Sequence, residues 1–310
     1  MNSTENPSRT VQDDFKDAFL KNFIVFFLGL AINCINGIFV FIFSRSTFFY
    51  MESRYILYIH LVINDMIMLS ISVALHVIVY AAPLVNVSVC CILLVVGTMT
   101  TRNTPMSLAG MAVERYIAIC KPLRHSQICT VRRTYMLILL IWCVTFIPGL
   151  ADIIILFLTR PITIFTSKIL CYSLAIFNTS YHLNKAIVEY ALFLSFVWIT
   201  LIYTYLRVFF AAKTATTDAV SAKKAQNTIL LHGVQLLFCM MSYITPVLDL
   251  ILVPLFPNDR TKILFSTFLL TNILPRLLTP LIYGIRDQKF VAYIKKYFSM
   301  CTVKVKPVKT

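Results

Sequence analysis

Charged residues are scarce in this sequence. They make up 13% of the 310 residues, whereas hydrophobic residues make up 59%. A soluble globular chain is about half apolar and about a quarter charged, so this composition indicates a protein that crosses a membrane several times. The net charge of +15 does not indicate a nucleic-acid binder, because the bases lie in short segments between apolar runs rather than on a soluble domain.

Patterns that mark several other functions are also missing. The nine cysteines form no CxxC pair, and no His and Cys residues stand at zinc-ligand spacing, so a metal or cofactor site is unsupported. Neither a nucleophile–base pair nor a phosphate-binding loop is visible, which argues against an enzyme. No basic-then-apolar leader with a small-residue cleavage site stands at the start, so we expect the first apolar run to act as an uncleaved signal anchor.

Seven apolar runs, each long enough to cross a bilayer with about 20 residues, occupy most of the chain. The sequence therefore predicts an all-α membrane protein, a seven-transmembrane helix bundle at 22–285 between an outer tail at 1–21 and a C-terminal segment at 286–310. The loops are too short for a second soluble domain. The predicted spans are Asn22–Ser44, Ile56–Tyr80, Cys90–Tyr116, Tyr135–Leu158, Ala186–Phe210, Thr228–Val253 and Ile263–Ile285.

The distribution of Lys and Arg predicts the orientation of the bundle. Most of the 28 bases lie on the side of the bundle that also holds the C-terminal tail, and base-rich loops are cytoplasmic. The N-terminus is then outside. Three glycosylation sequons, which begin at Asn2, Asn86 and Asn178, all fall on the predicted outer side. Asn2 is the best candidate for a glycan, because Asn86 is close to the bilayer.

The cysteine positions predict a disulfide on the outer side. Cys90 precedes Arg115 by 25 residues in one helix, which is roughly 37 Å and a full membrane crossing. If Arg115 is at the inner face, Cys90 is at the outer face, where Cys171 is the only cysteine of the outer loop 159–185. We expect a Cys90–Cys171 disulfide, with Cys91 as the alternative partner and two unrelated thiols as the alternative to any bond.

A short basic amphipathic helix follows the seventh run. Phe290, Ile294 and Phe298 recur at helical spacing beside three lysines, so we expect an eighth helix that lies on the lipids of the inner leaflet. Cys301 at its end is a candidate for palmitoylation.

The resemblance to a known family rests on three motifs in order along the chain. The segment Met111–Leu123, MAVERYIAICKPL, resembles the Met-Ala-x-Asp-Arg-Tyr-x-Ala-Ile-Cys-x-Pro-Leu signature of vertebrate olfactory receptors, which are rhodopsin-like G-protein-coupled receptors. Lys224–Thr228 with His232 resembles the start of that family's sixth helix, and Thr279–Arg286 resembles its seventh-helix motif. The residues that match the per-helix landmarks of the wider class are Asn36, Asp65, Trp142, Tyr205 and Pro280.

The sequence departs from the family pattern at several positions, one of which is Cys239-Met240-Met241 where Phe-Tyr-Gly is common. Glu114 stands where Asp is usual, Ile229 where the sixth-helix motif has Cys, and Thr279 where Asn precedes Pro280. The outer second loop has one cysteine where mammalian members usually have several. This set is most similar to the bony-fish members of the family.

The resemblance implies an odorant receptor in the plasma membrane of olfactory sensory neuron cilia. Its partners would be a small-molecule odorant outside and a heterotrimeric G protein of the stimulatory, olfactory type inside. Activation would swing the inner end of the sixth helix outward and free Arg115 from its counter-ion Glu114, with Pro246 as a bend point. The residues that the resemblance assigns to G-protein coupling and activation are Glu114, Arg115, Tyr116, Tyr205, His232 and Tyr283.

Asp65 predicts a polar network at the centre of the bundle, because a carboxylate within a membrane is costly without a partner. The wider class associates this position with a sodium ion. Arg276, four residues before Pro280, is a candidate to replace the metal in an ion pair, with Thr104 and Asn36 as hydrogen-bond partners. The alternative is an Asp65 that is protonated or sodium-bound while Arg276 pairs elsewhere.

Arg102 is the most unusual charge in the third run. It lies 13 residues from Arg115, roughly 20 Å toward the outer side, where this family binds odorants, and Glu189 is its expected partner. Arg102 then either fixes helix packing or receives a polar or anionic ligand group. The predicted pocket residues are Thr98, Thr101, Arg102, Pro105, Glu189, Phe193, Met240, Tyr243 and Thr271.

Other receptor types and one other class remain as alternatives. Gly97, one turn from Thr101, disfavours a biogenic-amine site, and the absence of a central lysine in the seventh run disfavours a retinal Schiff base. A lipid or peptide receptor that shares the signature is the nearer rival. A transporter or channel lined by the intramembrane charges is the more distant one.

Overall fold

The computed structural model describes residues 15–81, 84–214, 251–280 and 288–303, together with residues 234, 237, 245, 248 and 249. These residues form helices almost throughout, with one pair of short strands. In chain order the elements are α1 (Phe15–Ser44), α2 (Thr47–Tyr50), α3 (Ser53–Ala81), β1 (Leu84–Asn86), α4 (Val87–Cys120), α5 (Pro122–Ile128), α6 (Val131–Thr159), β2 (Lys168–Leu170), α7 (Ser173–Ile176), α8 (Ser180–Thr214), α9 (Arg260–Phe268), α10 (Leu274–Pro280) and α11 (Gln288–Val303). A π-helical turn, Leu269–Ile273, joins α9 to α10.

Five of the described helices, α1, α3, α4, α6 and α8, are long and apolar enough to cross a membrane. They contain the first five predicted spans and extend beyond each of them by a few residues. The segment from α9 to α10 covers the first part of the seventh run. Most of the sixth run, Thr228–Val253, lies outside the described residues.

Local side-chain chemistry sets where two of the long helices begin. The side chain of Asn86 accepts a hydrogen bond from the Ser88 backbone N–H at 2.9 Å, and Thr130 caps α6 by accepting from the Arg133 N–H at 3.4 Å. Such caps satisfy donors that have no partner within the first helical turn. Asn86 also pairs with Lys168 in the antiparallel β1–β2 ribbon, so the start of α4 is tied to the outer loop.

Helix α4 is the centre of the bundle. It packs against α3, α6 and α8, and 50% of its most apolar stretch is buried, compared with 17% for the equivalent stretches of α6 and α8. At Gly149 a side chain would lie 2.8 Å from Cγ1 of Val95, so this glycine allows α6 to approach α4 closely. Residues on α4 are therefore the ones best placed to contact several helices at once.

The outward surfaces of α1, α6 and α8 are apolar. Phe23, Leu139 and Ile199 are among the many large hydrophobic side chains that remain exposed there. A monomeric soluble protein rarely exposes such continuous apolar surface. The described part of the chain is thus a bundle whose outer surface suits lipid.

Candidate functional site: the outer and inner ends of α4

The outer end of α4 carries the disulfide that the sequence predicts. Cys90 and Cys171 are bonded, with a Cα–Cα distance of 5.6 Å, and the alternative partner Cys91 is a buried thiol. Ser88 at the same helix end donates to the carbonyl of Phe165 at 2.8 Å. The disulfide, the β1–β2 ribbon and this hydrogen bond together hold the outer loop over the end of α4. Because disulfides form in oxidising compartments, this end is outside.

Arg102 on α4 and Glu189 on α8 form an ion pair through the guanidinium Nε atom. Both residues are buried, at 8% exposure each. The Nη1 atom of Arg102 is also buried and has no hydrogen-bond partner among the described residues. A buried donor without an acceptor costs free energy, so this atom marks a position where an acceptor from outside the chain would be stabilising.

Lys185 is a further member of this cluster that the sequence pattern did not predict. Its Nζ atom lies 2.5 Å from Oδ1 of Asp152 and 3.6 Å from Oε2 of Glu189, and it donates to the Pro148 carbonyl at 2.7 Å. The cluster thus contains four charged residues that alternate in sign and join α4, α8 and α6. In order of contact they are Arg102, Glu189, Lys185 and Asp152. The signal that could have found Lys185 is its spacing of four residues from Glu189, which places both on one helix face.

The remaining predicted pocket residues differ in burial and in the element that carries them. Thr98 and Thr101 are half-buried, and their hydroxyls donate to carbonyls of α4 itself, at 3.0 Å and 2.8 Å. Pro105 is buried in α4, Phe193 is half-buried on α8, and Thr271 is buried in the π-helical turn. Met240 and Tyr243 lie outside the described residues.

The centre of the bundle holds a network around Asp65. The hydroxyl of Thr104 donates to Asp65 Oδ1 at 3.0 Å, as the sequence predicts. Asn64, which is not among the predicted network residues, donates to that hydroxyl at 3.0 Å and to the Thr100 carbonyl at 2.9 Å. Asn36 is fully buried on α1, but neither polar atom of its side chain has a hydrogen-bond partner among the described residues, so the prediction that it hydrogen-bonds to Asp65 is wrong. This network joins α3 to α4.

Arg276 is also fully buried, at 1% exposure, and its Nη1 atom donates to the carbonyl of Thr271 at 3.1 Å. That carbonyl would normally accept from the residue four positions on, which is Pro275, and proline has no N–H. The guanidinium thus supplies a donor where the proline removes one. An ion pair between Arg276 and Asp65 stays a prediction.

His60 connects α3 to the landmark Trp142 of α6. The indole N–H of Trp142 donates to Nε2 of His60 at 2.8 Å, and Ser107 lies 3.3 Å from the other ring nitrogen. Ser107 in turn donates to Oδ1 of Asn103 at 2.9 Å. The imidazole is therefore held in one orientation between three helices.

The inner end of α4 carries the Glu-Arg pair. Oε1 of Glu114 lies 3.0 Å from Nε2 of His125 on α5, and Oε2 lies 3.9 Å from Nε of Arg115. The Glu114 side chain is 7% exposed and that of Arg115 is 37% exposed. A small cavity at this end is lined by Glu114 and Arg115 together with Arg54, Met111 and other residues. The Arg115 side chain is thus partly exposed at the inner end, and its counter-ion Glu114 also contacts His125.

Nearby groups complete the inner end. Tyr116 packs edge-on against Tyr203, with ring centroids 5.9 Å apart, whereas Tyr205 packs against the largest apolar core of the described residues. Burial raises the pKa of the Cys129 thiol, and the charge of Glu114 raises it further. Cys301 belongs to α11. Asn2, His232 and Tyr283 lie outside the described residues.

Comparison with known proteins agrees with this architecture. Residues 35–283 match the family described as 7 transmembrane receptor (rhodopsin family). The chain is also 30% identical over 306 residues to "Odorant receptor 131-2" of Danio rerio, an alignment that covers 98% of this chain and 94% of that protein.

The disulfide on the outer side, the shared Glu-Arg pair on the inner side and these matches lead to one assignment. The amphipathic helix α11 buries Phe290 and exposes Lys289 near its start, as the helical spacing of its apolar residues predicts. The chain belongs to the rhodopsin family of seven-transmembrane, G-protein-coupled receptors and is similar throughout its length to a fish olfactory receptor.

Proposed function

We propose that this receptor detects small odorants that carry a polar or anionic group and that it activates a stimulatory, olfactory-type G protein. The odorant-receptor relative in Danio rerio supports the chemosensory role. That role implies a plasma-membrane protein of olfactory sensory neuron cilia. The buried charge of Arg102, in the outer half of α4, supports a ligand with a polar or anionic group.

The single observation that carries the ligand class is the Nη1 atom of Arg102, which is buried without a hydrogen-bond partner among the described residues. A carboxylate or carbonyl oxygen of an odorant can accept from this atom, and hydrogen bonds to charged donors are stronger than neutral ones. Thr98 and Thr101 are less suited to this task, since their hydroxyl protons are used within α4. The rest of the contact would be apolar, as in most small-ligand sites.

Signal transfer is proposed to run along α4. Arg102 and Arg115 lie on one uninterrupted helix, Val87–Cys120, roughly 20 Å apart. An odorant that competes with Glu189 for Arg102 changes the contact between α4 and α8. The coupling step is then the release of Arg115 from Glu114, so that Arg115 can contact the C-terminal helix of the G protein.

The test is a cAMP screen in cells that express the receptor, with odorants of one chain length as the acid, the methyl ester, the alcohol and the amine. Arg102→Ala should weaken the acid by roughly 10- to 100-fold, the worth of a charged hydrogen bond, and the alcohol much less. Arg102→Lys is the matched control, since it keeps the charge and loses the fork geometry. Acids without any advantage on the wild type, or with full potency on Arg102→Ala, would contradict the proposed ligand class.

A separate variant tests the coupling. Arg115→Ala should abolish cAMP for every odorant at normal surface expression, and so should deletion of the stimulatory Gα subunit from the host cell. A response that survives both changes would show that the receptor uses another transducer.

A further inference from the structure

A carboxylate outside the Arg102 cluster lies in the outer half of the bundle. Asp249 belongs to the sixth predicted span, where it is helical and half-buried. Its Oδ1 atom lies 2.8 Å from the Thr267 hydroxyl of α9. No base lies within ion-pair distance of it in the part of the chain that the structure describes. A carboxylate inside a membrane bundle is costly without a counter-charge, and such residues commonly serve a function.

The Thr267 hydroxyl fixes the orientation of this carboxylate. Thr267 is buried, at 8% exposure, and its hydroxyl is also 3.1 Å from the Leu264 carbonyl. A hydroxyl has one proton to donate, and a hydrogen bond to a charged acceptor is the stronger one, so the proton goes to Oδ1 of Asp249. The second oxygen, Oδ2, accepts no hydrogen bond from any described residue. Asp249 is therefore held in place with an acceptor left for another donor.

The carboxylate is next to the predicted odorant pocket. Thr271, a predicted pocket residue, is fully buried, and its hydroxyl donates to the Thr267 carbonyl at 2.7 Å. A different side of α9 packs on α3, where Phe268 stacks on His76 with ring centroids 5.0 Å apart. The hydroxyl-bearing side of α9 thus connects Asp249 to the pocket, whereas its aromatic side is filled by α3.

Asp249 and Arg102 lie at different depths below the outer ends of their helices. Arg102 is 12 residues from Cys90, which is roughly 18 Å along α4. Asp249 precedes the end of the helical stretch 251–255 by six residues, which is roughly 9 Å. The two charges therefore differ in depth by about 9 Å, so a ligand that reaches both needs charged groups that are well separated.

We propose that Asp249 binds an ammonium group of the odorant, so that the receptor prefers ligands with an amino and an acid group at opposite ends of an apolar chain. This inference rests on the proposed function, in which the acid group contacts Arg102. Oδ2 of Asp249 accepts from the ammonium, and charge-assisted hydrogen bonds are stronger than neutral ones. Arg102 and Asp249 carry opposite charges, which complement the two ends of such a ligand. Ligands with a single charged group engage only one of the two residues.

The test is cAMP dose–response in cells that express the full receptor, with ω-amino acids from aminobutyric to aminooctanoic acid. Two compounds of the same chain length accompany each amino acid, namely its N-acetyl form, which keeps the acid and loses the ammonium, and the plain fatty acid. On the wild type the longer amino acids should be about tenfold more potent than their N-acetyl forms, the worth of one charged hydrogen bond. N-acetyl forms as potent as the free amino acids at every length would overturn the proposal.

Variants at matched surface expression assign the effect to the residue. Asp249→Asn keeps the side-chain shape and removes the charge, so it should abolish the advantage of the amino acids and have little effect on plain acids, whose response shows that the variant folds. Asp259→Asn is the charge-matched control, since it removes an outer carboxylate that pairs with Lys262 at 2.9 Å, and it should keep the advantage. Thr267→Val removes the orienting hydroxyl and should reduce the advantage without abolishing it. Equal loss in the two aspartate variants would overturn the proposal, because general electrostatics would then explain the effect.

Arg102→Ala separates this proposal from the proposed function. It should weaken plain acids and N-acetyl forms alike, and amino acid methyl esters, which carry only the ammonium, far less. Plain acids that keep full potency on Arg102→Ala would contradict the proposed ligand class. An advantage of free amino acids that persists on Asp249→Asn would contradict the ammonium site alone.

Discussion

Glu114 is 0.9 Å closer to His125 than to its neighbour Arg115, with contacts of 3.0 Å and 3.9 Å. The counter-ion expected to hold the signalling arginine is thus shared with a histidine of the following helix. Since the Arg115 side chain is more than one third exposed, water screens its pair with Glu114. The restraint on Arg115 is weak in this structure, and its strength depends on both partners of Glu114.

The first prediction concerns ligand-independent signalling. Glu114→Gln removes the counter-ion and should raise basal cAMP by about threefold, the effect of a screened pair of well under 1 kcal/mol. His125→Ala leaves Glu114 to Arg115 alone and should lower basal cAMP. Basal cAMP per receptor at the cell surface measures both. Changes of the same sign in the two variants would contradict the shared counter-ion.

The second prediction concerns the pH dependence of the Cys129 thiol. Its pKa is raised first by burial and then by the charge of Glu114, so at neutral pH it holds less thiolate than an ordinary cysteine, and the thiolate is the reactive form. Site-resolved iodoacetamide labelling of inside-out membranes should be slow at pH 7 and should accelerate only above the ordinary thiol pKa. Glu114→Gln should shift that acceleration to lower pH. An identical profile in both proteins would show that Glu114 does not act on the thiol.

The third prediction concerns the coupling between Lys185 and Asp152. Lys185→Met leaves Asp152 and Glu189 with one fewer counter-ion and should lower the free energy of unfolding by about 2 kcal/mol, a value between those of exposed and fully buried ion pairs. Asp152→Asn should cost a similar amount, and the double variant much less than the sum. Thermal unfolding of the purified wild type, the two single variants and the double variant gives the double-mutant cycle and hence the coupling energy. Additive effects would mean that the contact contributes no coupling energy.

The fourth prediction concerns the disulfide. Cys90 and Cys171 close a loop with a sequence separation of 81 residues, for which the chain-entropy estimate is roughly 4 kcal/mol. Cys90→Ser should therefore lower thermal stability and expose the outer loop to protease. Cys91→Ser, one residue away on the same helix, is the matched control and should preserve both properties. Equal loss in the two variants would point to packing at the end of α4 rather than to the bond.

Much of the architecture follows from composition and charge placement. The five long helices lie where apolar runs predict them, because the thickness of the bilayer fixes the number of residues needed. The rise per residue along α4 places Cys90 and Cys91 at the outer face and so predicts a bond to Cys171, whereas the choice of Cys90 over Cys91 comes from the structure. The Arg102–Glu189 pair follows from the cost of unpaired charge in a membrane.

Other parts of the candidate site depend on packing that a single sequence does not encode locally. The predicted outer loop, 159–185, ends at Lys185, whereas α8 begins at Ser180, so Lys185 lies on the helix that brings it to Asp152. The contact of His125 with Glu114 requires α5 to fold back along the inner end of α4. The π-helical turn at Leu269–Ile273 depends on how α9 and α10 meet neighbouring helices, although Pro275 nearby indicates a break in the regular hydrogen bonding.

The most direct test of the central claim compares Glu189→Gln with Arg102→Gln for one odorant acid and its methyl ester, by cAMP dose–response at matched surface expression. If Arg102 binds the ligand, Glu189→Gln removes its competitor and should make the acid more potent relative to the ester, whereas Arg102→Gln should make it less potent. Opposite shifts are the predicted result. Equal losses of potency for acid and ester in both variants would contradict the account, because Arg102 and Glu189 would then serve only to pack α4 against α8.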